Sequence, residues 1–482
     1  MATISSAGIG SGLDVNSIVT QLVAIERQPI TALQTKATKL QTQISEFGKQ
    51  KSALATLRDA ASKLTNSDFW SQTVGTSSNP TAVGVTTTTG AVAGNYSVTV
   101  QSLAAPQSLA SAVFPASTST PGAGTLRIEL GSWGTGQTSF TPKTGATAVD
   151  ITVEATDTLA QVRDKINQAN AGVTAQVLTD ASGSRLMMRS TATGAESAFR
   201  TQVTAPVGLP PLLGGGTNLT ALAYDPSTAN ATQMSRTQTA ANAAATLNGL
   251  TLTSTSNTLT NVVDGVTLKL GAVTSSPVDI SVVQDNDTLK KQLQAFAEAY
   301  NAVQTLITTQ TKYDAASKSG GPLQGDGAAV GLQRQLRNLA GASSGASSTF
   351  ARLADVGLGT DATGQMVVSA TKLDNALANP TEMKKMFANT DLLVPTNNGL
   401  GRQMRVLADS FLSVDGSLNS RAEGLRQRLD SNKSQQDKLT DRVAQTEKRL
   451  RAQYTALDTQ MASLNGLSSY VTQQIAQFNR TT

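Results

Sequence analysis

A few short stretches carry residue types and spacings that could do chemistry. GIGSGLD, with glycines at positions 8, 10 and 12, resembles a phosphate-binding loop ahead of a helix. A dinucleotide or P-loop site needs a preceding strand to aim the loop, and the P-loop ends in Lys-Ser/Thr; neither feature is present. The stretch reads instead as a mobile lead-in to Asp14, the N-cap of a helix carrying Val15, Ile18, Val19, Leu22 and Ile25. QDNDTL places Asp285 and Asp287 in alternation, as a calcium loop would, but lacks the loop glycine and the distant glutamate. Its position between a strand and a helix makes either aspartate a helix cap. DASGS at Asp180 reads as a hairpin turn. Tyr300, Asn301 and the two tryptophans, Trp70 and Trp133, stand too far apart for a binding platform and are assigned to packing.

The absences narrow the chemistry further. The 482 residues include no cysteine and no histidine. Disulfides, thiolate nucleophiles, histidine bases and the commonest metal ligands are therefore excluded. Carboxylate-only chemistry, such as a glycosidase's, stays open, but nothing calls for it. No catalytic residue, cofactor or metal is assigned, and the expectation is that the protein is not an enzyme. The 38 Lys+Arg against 33 Asp+Glu give a net charge of +5, too thin and too interleaved with acids to indicate nucleic acid. No stretch reaches the roughly 20 apolar residues of a membrane span, so membrane insertion is not expected. The N-terminus has no basic region followed by a compact apolar one, so no cleaved signal is expected. Avoidance of cysteine points to work outside the cell, reached by a route that bypasses such a signal.

The positioning elements follow from periodicity. From Ile18 to Leu64 apolar residues recur at helical spacing, with Leu33, Leu40, Phe47 and Leu54 seven apart. Pro29 predicts a break there, with a short helix before it and a longer one after. A seven-residue repeat keeps one seam facing a partner helix. The C-terminal end mirrors it: Leu425, Leu429, Leu439, Val443, Leu450, Leu457 and Leu464 define a seam that admits Asn432, Gln436, Thr446 and Gln453. Such a seam is weak alone and registers against specific neighbours.

From about residue 74 to 287 the chain turns rich in Thr, Ser, Gly, Ala and Val. NYSVTVQSL, TLRIEL and VDITVEA alternate as strands, while PASTSTPGAG and APVGLPPLLGGG punctuate them as loops. Residues 158–194 read as a helix on Leu159, Val162 and Ile166, a stop at Gly172, and two strands joined across DASG. ATLNGLTLTSTSN and VVDGVTLKL read as two more strands. Helices return on Leu289, Leu293, Phe296, Tyr300, Val303 and Ile307, then at VGLQRQLRNLA and PTEMKKMFAN. The fold class expected is α+β and multidomain: discontinuous helical ends with an inserted, β-rich, two-lobed head, and both termini at one end of an elongated molecule.

At this point the residues carry a resemblance. SGLDVNSIV followed by LVAIERQPI resembles the N-terminal signature of the bacterial flagellar filament cap family, also called hook-associated protein 2. The 158–194 unit is similar to the helix-plus-hairpin repeat of flagellins and hook-associated proteins. ANAAATLNGLTLTSTSNTLTNVVDGVTLKL and FAEAYNAVQTLITTQTKYD resemble the family's middle and the start of its C-terminal half. Residues 103–157 and 199–236 are poorly anchored, as a variable outer lobe would be. The division expected is a terminal helical region of residues 1–45 with 425–482, disordered until assembled. A helical leg then comprises 46–75 with 286–424, a head domain 76–110 with 236–285, and an outer lobe 111–235.

The resemblance implies a homo-oligomeric ring at the filament tip that retains exported flagellin and promotes its folding and insertion. It implies export through the flagellar type III channel and an extracellular place on the flagellum. Flagellin and the hook-filament junction proteins would be partners, and an export chaperone would hold the C-terminal helices. Self-assembly and partner contacts are expected at Leu13, Val15, Ile18, Leu22, Ile25, Leu33, Leu40 and Phe47, and along the Leu425–Leu464 seam. Another axial protein of flagellin or junction type is the nearest alternative. A surface adhesin with a coiled-coil stalk is the more distant one, and a tip-located head is also placed for cell adhesion.

Overall fold

A computed structural model describes residues 14–204, 218–229, 231–316 and 318–479. The glycine-rich opening with Leu13, and the loop APVGLPPLLGGG, lie outside the described residues. No helix among those described is long and apolar enough to cross a membrane. The chain forms two compact units, residues 1–70 with 286–482, and residues 71–285.

The first helix, α1 (Val15–Thr65), runs for 51 residues. Asp14 caps it, its carboxylate accepting the Ser17 N–H at 3.0 Å. The break expected at Pro29 does not occur, because the helix passes straight through the proline. Proline withholds one N–H and crowds the carbonyl four residues back. Here Pro29 and Ile25 both lie on the exposed side, so water can take the orphaned carbonyl, while buried Val23 and half-buried Ile30 hold the turns on either side.

The inserted unit holds β1 (Thr73–Ser77), β2 (Val83–Thr87), β3 (Gly94–Ser102), β4 (Ser108–Ala110), β5 (Gly124–Trp133), β6 (Phe140–Pro142) and β7 (Val149–Val153). After α2 (Leu159–Gln168) come β8 (Val173–Asp180), β9 (Gly183–Ser190), β10 (Ala198–Thr204), β11 (Ser235–Gln238) and β12 (Ala243–Leu247). The last are β13 (Leu250–Ser254), β14 (Thr258–Val263), β15 (Val266–Leu270) and β16 (Val278–Gln284). One core lies under the sheets β1-β16-β3-β12-β13 and β14-β15-β2, around Val98, Val100, Leu268 and Ile280. A second joins β10-β5-β6 with β7, β11-β4-β9-β8 and α2, around Leu126, Ile128, Val162, Met188 and Phe199.

The helix-plus-hairpin of residues 158–194 forms as read from sequence. Thr158 and Gln161 close a reciprocal capping box at the start of α2, and β8 and β9 pair from Val173↔Ser190 to Asp180↔Gly183. The two later strands are instead two hairpins, β12–β13 and β14–β15. Asn248 (φ 49°) and Gly249 (φ 85°) supply the left-handed pair that a tight two-residue turn requires.

In the second core Arg200 bridges Glu129 at 2.7 Å and the buried Asp225 at 3.4 Å. Burial pushes the Asp225 carboxyl up, but hydrogen bonds from Ser227 and Gln202 and the charge of Arg200 outweigh it and leave it below the usual range. Trp133 donates to Gln107 at 3.1 Å, and buried Gln107 donates on to the Phe199 carbonyl at 2.7 Å.

The chain then completes the helical unit with α3 (Asn286–Thr311), two small hairpins, β17 (Tyr313–Asp314) with β18 (Ser319–Gly320) and β19 (Leu358–Thr360) with β20 (Met366–Val368), and α4 (Gly327–Ala340). Helices α5 (Ala370–Leu377), α6 (Pro380–Ala388), α7 (Leu400–Leu412) and α8 (Ser417–Phe478) follow. Asp287 stands in the first turn of α3, where a carboxylate favours the positive end of the helix. A single core runs from Leu40 and Phe47 through Phe296, Tyr300, Leu336 and Phe387 to Leu425. Phe387 stacks on Trp70 with centroids 5.6 Å apart and meets Phe296 edge-on at 6.4 Å.

Glu382 staples the loop after α4 to α6. One carboxylate oxygen accepts from Ser347 Oγ at 2.7 Å and Ser348 N at 2.8 Å, and the other accepts from Lys385 Nζ at 2.7 Å. Lys385 first, then Ser347 and the Ser348 N–H, hold its pKa down to about 2. A depressed carboxyl contributes stability above its unfolded pKa and loses it as pH falls through the folded value. In a Trp133→Phe chain, where Trp70 alone reports, the helical unit is expected to lose stability between pH about 4.5 and about 2. Glu382→Gln should be less stable at neutral pH and flatter over that window; parallel acid profiles for the two proteins would refute the assignment.

Candidate functional site

Two very long helices cannot bury much of themselves, and what they leave uncovered is where a partner can act. α1 and α8 pair from Lys51 with Asn419 to Asn16 with Arg451, and α8 runs on past that end. Lys51 Nζ donates to Asn419 Oδ1 at 2.8 Å near one end, and Arg451 Nη1 donates to Asn16 Oδ1 at 3.1 Å near the other. Close to the main core the seam is dry: Leu40, Phe47 and Leu425 are buried, and Leu429 packs against the same cluster. Arg421 on α8 also pairs at 2.7 Å with buried Asp326, whose carboxylate caps α4.

The middle of the seam is polar. Asn432 is buried, accepts from Gln436 Nε2 at 2.6 Å, and leaves its own Nδ2 without a partner. A buried amide in a helical seam costs stability and fixes register. Beyond it stands a separate small cluster of Val15, Val19, Val23 and Val443, flanked by Ile30, Leu450 and Tyr454. The terminal half of the pair thus rests on four buried valines, apart from the main core.

Of the residues singled out in the sequence, Leu13 lies outside the described residues. Val15, Leu40, Phe47, Leu425 and Val443 are buried, while Ile18, Leu33, Leu429, Leu439 and Leu450 are half-buried. Leu22, Ile25, Leu457 and Leu464 are exposed. The structure therefore places the first group in two separate clusters across α1 and α8, Leu40 and Phe47 with Leu425 and Val15 with Val443, and leaves the last four facing solvent. Val19, Val23, Ile30 and Tyr454 join the terminal cluster without having been assigned to it. Tyr454, not Gln453, enters the seam after Leu450, because a 3.6-residue helix drifts off a strict seven-residue count.

Exposed Leu457, Leu464, Leu467, Val471 and Ile475 lie on one stripe of α8, with exposed Tyr470 beside it. On α1, Ile18, Leu22 and Ile25 form a second stripe next to the valines. An unfilled apolar stripe at this spacing is what a third helix packs against. Nothing in the arrangement offers acid–base or nucleophilic chemistry, and among the described residues no group of His, Cys, Asp or Glu could hold a metal.

Comparison with known proteins bears on what the stripes serve. Residues 240–466 match the family description "Flagellar hook-associated protein 2 C-terminus", residues 11–107 its N-terminus counterpart, and residues 135–192 the "Flagellin hook IN motif". Flagellar hook-associated protein 2 of Escherichia coli (strain K12) is 30% identical over 489 residues, covering 98% of each chain. Its counterpart in Salmonella typhimurium is 30% identical over 499 residues, covering 100% of each. The crystal structure of the D1-D2-D3 domains of the flagellar cap protein FliD from Escherichia coli superposes with a TM-score of 0.61 at 27% identity. It covers 79% of this chain and 99% of that one.

Proposed function

Because the chain belongs to the flagellar hook-associated protein 2 family, we propose that it is a structural cap at the distal tip of the bacterial flagellar filament. It works as an oligomer and engages axial flagellar subunits. The comparisons do not favour the adhesin or flagellin-like alternatives. In this reading residues 71–285 supply the plate of the cap and the helical unit its legs. Within the first, the core at Val98 and Leu268 serves as the inner head and the core at Leu126 and Phe199 as the outer lobe. The terminal region 1–45 with 425–482 is the part that grips flagellin, and the remaining helices hold it to the head.

The observation that carries this reading is the terminal pair. It joins a four-valine cluster to uncovered stripes on α1 and α8. A contact of that size is weak singly, so each leg can let go of one flagellin and take the next, while several legs together keep the ring in place. The chain leaves through the flagellar export channel, with a chaperone over the α8 stripe before assembly. Hook-filament junction proteins receive the first ring.

The test is flagellin in the medium of a strain lacking this gene, beside electron microscopy of its hooks. Free monomeric flagellin with bare or stunted hooks is the expected result. Normal filaments without leakage would remove the cap function.

A further inference from the structure

The inserted unit holds a pocket of about 240 Å³ in which the helices have no part. It opens where the end of β5, the turn after it, the start of β10 and the end of β11 meet. That volume is below the range of drug-sized ligand sites, so the pocket suits one compact ring.

Trp133 forms one wall and is held in place. Its Nε1 is engaged by Gln107 Oε1 at 3.1 Å, and its ring meets Phe140 and Tyr224 edge-on, with centroids 4.7 and 5.8 Å away. What this half-buried residue offers the pocket is therefore ring surface, not a donor. The one guanidinium–ring contact among the described residues is Arg200 over Phe140, so no arginine covers the indole.

Arg236 lines the same pocket. Its half-buried side chain has no ion pair and no hydrogen bond among the described residues. β11 slips register between Arg236 and Gln238, and such irregularities re-aim side chains beside sites. The guanidinium stands near Tyr224: burial pushes that hydroxyl up, and the Arg236 charge works against it. Tyr224 donates in turn to Oε1 of Gln137, a third lining residue. Gly136 and Gln137 are both left-handed, at φ 69° and 61°. A glutamine held there is strained, and such strain concentrates at ligand sites. Gln137 Nε2 and the Thr239 hydroxyl, also on the lining, have no partner among the described residues.

We propose that this pocket binds a single hexuronate, its carboxylate on Arg236 and one face of its pyranose ring on Trp133. The guanidinium fork takes both carboxylate oxygens. The electron-rich face of the indole meets the weakly positive C–H groups of the sugar ring. Gln137 Nε2 and Thr239 are there for the ring hydroxyls. A bare phosphate or sulfate would leave the indole unused, and a ring acid without hydroxyls would leave the amide and the hydroxyl unused. A free sugar acid and the end of an acidic polysaccharide carry the same chemistry. The site uses no residue of the helical unit, so it stands or falls separately from the cap assignment.

The full chain carrying Trp70→Phe keeps Trp133 as its single tryptophan. Titration with D-galacturonate should change Trp133 fluorescence and saturate with a Kd on the order of 1 mM. D-galactose, which lacks the carboxylate, and cyclohexanecarboxylate, which lacks the hydroxyls, should each bind about tenfold more weakly. Arg236→Gln should lose about tenfold in affinity for galacturonate with an unchanged unfolding midpoint. Trigalacturonate binding more tightly than the monomer would identify a polymer end as the source, and equal binding a free acid. No saturation up to roughly 50 mM galacturonate would overturn the proposal. So would equal affinity for galactose, indifference to Arg236→Gln, or binding seen by saturation-transfer NMR without any change at Trp133.

Discussion

Phe387→Ala is expected to destabilise the helical unit by about 3–5 kcal/mol while leaving the unfolding of residues 71–285 where it is. Phe387 is fully buried, stacked on Trp70 and set edge-on to Phe296. It thereby joins the end of the α1 segment, α3 and α6, which come from distant parts of the chain. Gly399 and Gly401 press the start of α7 onto the same residue. Neighbours held by backbone contacts on one side and by aromatic rings on the other cannot collapse into the space left, so the cavity term adds to the lost transfer energy. The chain carries its own reporters, since Trp70 lies in one unit and Trp133 in the other. Denaturant titrations in Trp133→Phe and Trp70→Phe backgrounds would separate the two transitions. A loss below about 1 kcal/mol would mean that the site repacks. Equal movement of both transitions would mean that the two units unfold as one.

Val19→Asp is expected to open the terminal half of the α1–α8 pair and abolish retention of flagellin, with the main helical core intact. Val19 is fully buried among Val15, Val23 and Val443, and a carboxylate placed there without a partner costs several kcal/mol. The cluster has few other apolar contacts to offset that cost, and partly exposed Leu450 and Tyr454 add little. Helical circular dichroism should fall by about the content of the terminal turns, and the Trp70 transition should keep its midpoint. Cells carrying the variant should shed flagellin, as is expected of a strain lacking the gene. Wild-type swimming with the same loss of helicity would show that the terminal pair is not the part that grips. Unchanged helicity would show that the valine cluster does not hold the pair closed.

Much of this architecture is written in the periodicity of the chain. The ends announced themselves as helices because Leu33, Leu40, Phe47 and Leu54 recur every seven residues. The spacing of Leu159, Val162 and Ile166, the Gly172 stop and the DASG turn made the helix-hairpin unit legible, because helical period and turn chemistry are local. Other features depend on tertiary context that local sequence does not carry. Proline costs a helix one hydrogen bond and a clash wherever it sits, but the helix can run through it where water takes the freed carbonyl and packing holds the turns on either side, and one sequence cannot say which side of α1 faces water. The two late hairpins were visible in Asn248-Gly249 and Asp264-Gly265, strong turn signals that deserved to outweigh the length of the apolar runs. α7 was also within reach, since Leu400, Met404, Ala408 and Phe411 recur at helical spacing and all are buried. α5, with eight residues, is too short for periodicity to separate it from loop.

The pairing of β1 with β16, with Thr73 opposite Gln284 and the Asp285 N–H bonded to the Gln72 carbonyl, sets an order of events. The helical unit joins residues as far apart as Asn16 and Arg451, 435 positions along the chain, and contacts that distant are slow to find. Residues 71–285 need nothing outside themselves to form their sheets. Once they have folded, β1 and β16 hold Gln72 and Asp285 side by side, and the chain on either side leaves from one place. α1 and α3 then meet as the two arms of a hairpin whose loop is already closed, and the closure entropy of the intervening residues has been met by strand pairing. The sheets of residues 71–285 can thus be finished while α1 and α3 still wait for α8.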